Sequence, residues 1–390
     1  MRRKIHGSPE LGLDLPRTQQ TVLRALASLG MVVRVGERLS SVVAVLEGAP
    51  SGRTVLLRAD MDGLPQQEDT GLDFASQVPG AMHACGHDTH TAMLIGAAQL
   101  LVARRHRLAG RVVFMFQPGE EEGGGASRMI EEGVLSRGDG SAVDGAFALH
   151  ITTRFPSGTL YLRPGPQFAA ADRVRITVRG RSGHASAPHK SLDPIPVACE
   201  IVQALQTMVT RTVSVFEPAV LTIASITAGS AFNIIPESAV LSGTYRTLSE
   251  ASRKLVREGI TRVAQGVAAA HGATVDVQLP EGYPVVHNDA GFTAMARRAA
   301  AGVIGSASVR ELAHPSMGGE DFSYVLQQVP GAMAFLGACP PGLSPETAPD
   351  NHSSRVVYDE EAMACGSALH CAVAEAFLGE REQPAPGEPP

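Results

Sequence analysis

The chain has 390 residues, 44% of them hydrophobic and 18% charged, with a net charge of −6 and no tryptophan. These values fit a globular protein with a substantial core and, by length, two domains. They argue against nucleic acid or an anionic membrane surface as the main partner, and the few aromatic rings argue against single-strand stacking.

In chain order, the opening "MRRKIHGSPELGLDLP" carries cations with no apolar run behind them. It does not read as a signal peptide, and no window holds the roughly 18 uninterrupted apolar residues of a membrane span. The run "RTVLLRAD" (53–60) predicts a strand and "THTAMLIGAAQLLVARRHR" (89–107) a helix ending in cations. "GRVVFMFQPGEE" (110–121) predicts a strand stopped by Pro118 and Gly119, "GASRMIEEGVL" (125–135) a helix, and "DGAFALHI" (144–151) a third strand. Continuous apolar strands separated by helices predict a doubly wound, mostly parallel α/β sheet covered on both faces.

From about residue 170 the rhythm changes to alternating strands at 171–180, 219–229, 239–249 and 274–283, with helices at 193–209 and 250–272. The order βαββαβ is the ferredoxin-like split unit. The α/β rhythm then returns with a helix at 288–302, a glycine-rich loop "SMGGEDFS" (316–323), a strand at 331–338 and a helix at 359–378. The expected organisation is one α/β domain (1–169 and 285–379) interrupted by an inserted ferredoxin-like domain (170–284). A Pro- and Glu-rich tail (380–390) is expected to be disordered. The five cysteines, Cys85, Cys199, Cys339, Cys365 and Cys371, form no disulfide framework and suit a reducing, cytoplasmic setting.

Three predicted strands end in polar groups: Asp60 and Asp62 after the first, Glu120, Glu121 and Glu122 after the second, His150 at the third. In open parallel sheets the crevice outside the carboxyl ends of the strands is where ligands bind. The segment "MHACGHDTH" (82–90), which leads into a helix near Thr89, brings Cys85 and His87 toward the same crevice. Thiolate, imidazole and carboxylate together suit a borderline transition metal such as Zn²⁺, Mn²⁺, Co²⁺ or Ni²⁺ rather than Mg²⁺ or Ca²⁺. Taken singly, Cys85 reads as a small buried hydrophobe, His150 as a core histidine, the glutamate run as a solvated loop and the aspartates as turn residues. Their coincidence at three strand ends and one loop favours a metal site. Adjacent glutamates there invite a division of labour, one binding metal and the other handling protons.

The segments "LLRADMDGLP", "MHACGHDTHTAML", "FQPGEEEGGGA", "RGRSGHASAPH", "AFNIIPE", "GTYRTLS", "GGEDFSYV" and "NHSSRVVYDEEA" follow one another in the pattern of the metal-dependent N-acyl-amino-acid amidohydrolases. The chain resembles this family, which includes hippurate hydrolases, aminoacylases and indole-acetyl-amino-acid hydrolases, over nearly its whole length. It looks like a branch of the dinuclear metallopeptidase superfamily that also holds carboxypeptidase G-type enzymes. The resemblance implies two divalent transition-metal ions held by Cys85, His87, Glu121, His150 and His352, with Glu120 as general base. It implies that His184 reaches the reacting carbonyl and that Asn233, Arg246 and Gly319 bind substrate. It also implies an N-acyl-L-amino acid as the small-molecule substrate, and a homodimer formed through the inserted lid domain. The sequence departs from the pattern at Gly119 (Ala is usual), Glu122 (Gly is usual), Ala187 (Met is frequent) and "HITTRFP", which lacks an aromatic-Pro pairing. These positions bear on the acyl pocket. Rival readings are a dipeptidase or carboxypeptidase on the same scaffold, or a metal-dependent binding protein without catalysis. A zinc nucleobase deaminase lacks its H-x-E and P-C-x-x-C signatures here.

Overall fold

The computed structural model describes residues 1–49, 52–136 and 142–379, so the expectation for the 380–390 tail lies outside the described residues. The chain divides into two compact units: Met1–Gln167 with His287–His314 and Asp321–Pro390, and Phe168–Val286 with Pro315–Glu320.

The first unit begins with α1 (Arg2–His6), α2 (Pro16–Leu26), β1 (Val32–Val35), β2 (Val42–Glu47), β3 (Arg53–Asp60), α3 (His87–Ala103), β4 (Gly110–Gln117), α4 (Gly125–Glu131), β5 (Gly145–Pro156) and β6 (Leu160–Leu162). The second unit holds β7 (Ala170–Arg179), α5 (Pro194–Thr212), β8 (Ala219–Ala228), β9 (Ser238–Thr247), α6 (Glu250–Ala270) and β10 (Thr274–Gln278). The first unit resumes with α7 (Ala290–Ile304), β11 (Val309–Glu311), β12 (Gly331–Cys339) and α8 (Ala362–Gly379).

The eight-stranded sheet of the first unit runs β1-β2-β4-β3-β5-β12-β6-β11. Its centre is parallel: β3 pairs in parallel with β4 and with β5, and β5 with β12. Antiparallel pairs flank it, β1 with β2, β2 with β4, and β6 with β12. The central strands read as apolar runs because both of their faces are buried: β4 and β5 have only fully or largely buried residues through His150. Strands β1 and β2 escaped the sequence reading: "VVRV" is exposed throughout and short, whereas the six-residue β2 alternates buried and half-buried positions.

The second unit is a four-stranded antiparallel sheet in the order β8-β9-β7-β10, the ferredoxin-like arrangement. Along β7, Asp172, Val174, Ile176 and Val178 alternate inward, and the three apolar residues pack with Val197, Ile201 and Leu205 of α5 and Val256 and Ile260 of α6. The last strand stops at Gln278, before "LPEGY", where Pro280 removes a ladder donor.

All five cysteines are free. Among the described residues one helix, α8, is long and apolar enough to cross a membrane, with mean hydropathy 1.3 over 18 residues. Half of it is buried inside the protein, as a core helix requires.

Candidate metal centre

The polar side chains gather at the carboxyl ends of β3 and β4, along β5, and in the segment that opens α3. His150 is not at the end of β5, as the sequence suggested. That strand runs six residues further, because β12 continues to pair with it through Phe335 and beyond after β3 has left the ladder at Ala148. Helix α3 likewise starts at His87 rather than near Thr89, so His87 to His90 form a helical first turn rather than an extended loop. The turn before it depends on Gly86. Its φ is +87°, and a Cβ there would lie 2.4 Å from the Ile151 side chain and 3.1 Å from the Tyr358 ring.

Cys85, His87 and His150 place their ligand atoms within 4.8 Å of one another, and so do Cys85, Glu121 and His352. His87 also groups with Glu120 and Glu121, and with Asp60 and His90. The five residues expected to hold metal thus fall into two groups joined at Cys85. Cys85, His87 and His150 are buried, while the His352 side chain is 55% exposed. Neither ring nitrogen of the fully buried His87 makes a hydrogen bond. Its nearest carboxylate oxygens are Asp62 Oδ1 at 3.5 Å, Asp60 Oδ2 at 3.6 Å and Glu121 Oε1 at 3.9 Å. A buried imidazole without a hydrogen-bond partner, ringed by acids and a thiol, is a donor set that fits a divalent cation.

Neighbours fix the rest. Asp62, 1% exposed, accepts the Glu120 and Glu121 backbone N–H groups on its two oxygens, each at 3.0 Å. It therefore fixes the turn that carries both glutamates. Arg58, also 1% exposed, donates to Gln117 Oε1 (2.9 Å), Asp60 Oδ2 (2.6 Å) and Asp321 Oδ1 (3.0 Å). The three histidines of "MHACGHDTH" have three fates. His87 joins the cluster, His90 binds Asp60, and His83 sits beside His6, with ring centres 6.3 Å apart. His6 and Arg2 in turn hold Asp88, at 2.8 Å and 2.7 Å, and so tie α1 to the start of α3.

Electrostatics follow from burial and crowded acids. Burial, then Glu121, pushes the Cys85 thiol well above its usual range. Burial opposes charge on His87, but Asp60, Asp62 and Glu121 outweigh it and lift the ring to about 10. Burial also works against the Glu121 carboxylate, yet His352 and His87 hold it below the usual range. Without a cation, Cys85 and His87 both carry protons at neutral pH, and a cation has to displace them. Cation affinity should therefore rise with pH, by up to about tenfold per unit for each proton released. Calorimetric titration of the ion-stripped protein with Zn²⁺ or Mn²⁺, at about pH 6 and about pH 8 in buffers of differing ionisation heat, reads this directly. A pH-independent affinity with no proton release would contradict it. In the ion-free protein the raised His87 contributes stability that is full below its unfolded value near 6.5 and is lost as pH rises through about 10.

The second unit brings its expected site residues together in two pairs. Gly183–His184 bridges Ile234–Ile235, and the Asn233 carbonyl accepts the Ala185 N–H at 3.1 Å. His184, which is exposed, accepts the Ser186 N–H on Nδ1 at 3.1 Å. Arg246 lies on β9, and a Cβ at Gly319 would come within 3.4 Å of its Nη1. Burial lowers the Arg246 pKa, with Asp172 acting in the opposite direction.

The sequence reading missed four residues that shape the cluster: Arg58, His90, Asp321 and Asn351. A charge inside an otherwise apolar strand is a signal for Arg58, because a buried charge needs partners. His90 lies three residues after His87 and so shares its helix face. Asp321 and Asn351 lie in the quoted segments "GGEDFSYV" and "NHSSRVVYDEEA", but no spacing or periodicity there singles them out.

Residues 56–376 match Peptidase family M20/M25/M40. Thermostable carboxypeptidase 1 of Saccharolobus solfataricus (strain ATCC 35092 / DSM 1617 / JCM 11322 / P2) is 39% identical over 381 residues, covering 97% of this chain and 94% of that protein. N-acetylcysteine deacetylase of Bacillus subtilis (strain 168) is 38% identical over 368 residues, covering 94% and 93%. The crystal structure of the Bacillus subtilis YXEP protein, a dinuclear metal binding peptidase from the M20 family, is 35% identical, with a TM-score of 0.83 over 97% of this chain and 96% of that one.

Proposed function

This chain belongs to peptidase family M20/M25/M40 and is a hydrolase of amide bonds, and from that premise we propose that it cleaves N-acyl-L-amino acids at a site holding two divalent cations. The observation that carries this reading is the pair of ligand groups joined at Cys85, with two adjacent glutamates held by Asp62 beside them. Cys85, His87 and His150 would hold one cation and Glu121 and His352 the other, with Cys85 shared. Bound there, the cations supply Lewis acidity to the scissile carbonyl and draw the pKa of a water from about 15.7 toward about 7.

The chain's own residues do the remaining work. Glu120, whose backbone is fixed by Asp62, takes the proton of the attacking water and returns it to the leaving nitrogen. For the second unit we propose that His184 stabilises the developing oxyanion and that Arg246, Asn233 and Gly319 bind the substrate carboxylate. A guanidinium suits a planar carboxylate because it can donate two parallel hydrogen bonds. The exposed Val220 and Ile226 on the sheet-edge strand β8, with Phe232 fully exposed, support a homodimer through this unit.

The 39% identity to a carboxypeptidase favours a second reading, a peptidase acting on free aminoacyl substrates. One experiment separates them. The protein is stripped, reloaded with Zn²⁺, Mn²⁺, Co²⁺ or Ni²⁺, and assayed on N-acetyl, N-benzoyl and aminoacyl amino acids. We expect kcat/KM for the acyl substrates to exceed that for dipeptides by at least about tenfold, roughly 1.4 kcal/mol in the barrier. Preference for dipeptides would establish the peptidase reading, and no turnover with any loaded cation would leave a binding protein. Sedimentation of the same preparations should show a mass near twice that of the chain; a single-chain mass at every concentration would remove the dimer.

A further inference from the structure

The backbone at Ile151 is held from both sides. Its N–H donates to His90 Nε2 at 2.8 Å, so that nitrogen carries no hydrogen, and the other ring nitrogen, Nδ1, donates to Asp60 Oδ1 at 2.6 Å. The Ile151 carbonyl accepts two donors, His150 Nδ1 at 2.8 Å and Asn351 Nδ2 at 3.1 Å. A carbonyl can only accept, so His150 carries its hydrogen on Nδ1. Its Nε2 then presents a lone pair toward Cys85 Sγ, 3.4 Å away. Asn351 Nδ2 spends its second hydrogen on the Cys85 carbonyl at 3.2 Å. The next residue, His352, is the one non-glycine with positive φ among the described residues (+68°), and its N–H donates to the Ala84 carbonyl at 2.9 Å.

We propose that His90 and Asn351 are positioning residues for the cation site. His90 holds the Ile151 N–H, and Asn351 joins the Ile151 carbonyl to the Cys85 carbonyl. Together they fix His150 in the tautomer whose Nε2 can ligate, and they set the segments bearing Cys85 and His352 against it. Partners that orient a ligand imidazole are worth about 10–100-fold in metal affinity. The proposal rests on the reading of Cys85, His87, Glu121, His150 and His352 as cation ligands.

Two substitutions of His90 separate positioning from mere burial. The His90→Asn amide can replace Nδ1 and satisfy Asp60, but it is too short to accept from Ile151. The His90→Gln amide reaches the Nε2 position and can accept the Ile151 N–H, but it leaves Asp60 Oδ1 without the donor that His90 supplies, while Arg58 still bonds Oδ2. The measurement is the dissociation constant of Zn²⁺ or Co²⁺ from the full chain, by competition with a chromophoric chelator, with the melting temperature of the ion-free protein as a folding check. His90→Asn and Asn351→Ala should lose about 10–100-fold in affinity for one cation, while His90→Gln stays within about threefold of the parent. Equal losses in both His90 variants, or affinities within threefold of the parent for His90→Asn and Asn351→Ala, would overturn the proposal. A parent protein that binds no cation would instead overturn the ligand reading beneath it. If the variants do not fold, ring ¹⁵N spectra of the unsubstituted, ion-free protein decide. An Nδ1–H tautomer at His150 supports the proposal and an Nε2–H tautomer refutes it.

Discussion

Glu120→Gln should retain the full complement of cations and the parent melting temperature while kcat falls by about 10²–10⁴-fold, the usual contribution of a positioned general acid–base. Three features of the site make this separation clean. The substitution is isosteric, and the hydrogen bond that places residue 120 runs from its backbone N–H to Asp62, so it survives. The groups Cys85–His87–His150 and Cys85–Glu121–His352 do not include residue 120. The amide, however, has no lone pair basic enough to take a proton from water. Glu121→Gln offers the contrast, because there the loss should appear first in cation content. Metal analysis and steady-state kinetics on both variants read the two losses separately. A Glu120→Gln enzyme, fully loaded, with kcat within tenfold of the parent would remove Glu120 from its role.

Much of this architecture could be read along the chain. The four parallel strands at the centre of the first sheet are apolar because both faces are buried, and β7 alternates because one face of its sheet packs on helices. Residue type and position together pointed to Cys85, His87, His150 and the Glu120–Glu122 run, since metal-seeking side chains at several strand ends rarely coincide by chance, and the resemblance picked Glu121 from that run. His352 was accessible only through resemblance. It enters the cluster from a connection between β12 and α8, and only tertiary folding brings it within 3.3 Å of Glu121. What the sequence could not supply was the chain of hydrogen bonds behind the ligands. Asp321, for example, lies 263 residues from Arg58, yet its oxygens accept from Arg58, from Gln117 and from the Ala126 N–H. No local pattern encodes such a partner. Where sequence reading placed His150 at the end of its strand, it assumed that neighbouring strands end together. The register shows β12 extending the pairing after β3 stops.

Arg58→Met should be the most damaging single change to folding, costing about 3–5 kcal/mol, the usual consequence of removing one partner from a buried ion cluster. Methionine keeps the apolar stem only as far as the ε position, so part of the loss comes from the space the buried guanidinium leaves. The larger part is electrostatic. Asp60 and Asp321 are both fully buried, and Arg58 is the cation that bonds directly to each of them. Burial disfavours the charge on Asp60, and Arg58, ahead of His87 and His90, overcomes this and holds the carboxyl well below its usual range. Without the guanidinium, Asp60 keeps His87 and His90 beside it and Asp321 keeps the neutral donors of Gln117 and the Ala126 N–H, so each carboxylate either stays charged with less compensation or takes up a proton, and both choices favour the unfolded chain. Arg58→Lys should recover only part of the loss, because one ammonium cannot reproduce a planar fork that bonds Gln117, Asp60 and Asp321 at once. Urea unfolding of the three ion-stripped proteins at about pH 7 measures the series, and a Met variant within about 1 kcal/mol of the parent would show that the cluster is dispensable. The Asp321→Asn change tests the same account from the other side. The side-chain amide of that variant would keep one acceptor for Arg58 or for the Ala126 N–H but leave the remaining donors short, so its loss should be smaller than that of Arg58→Met.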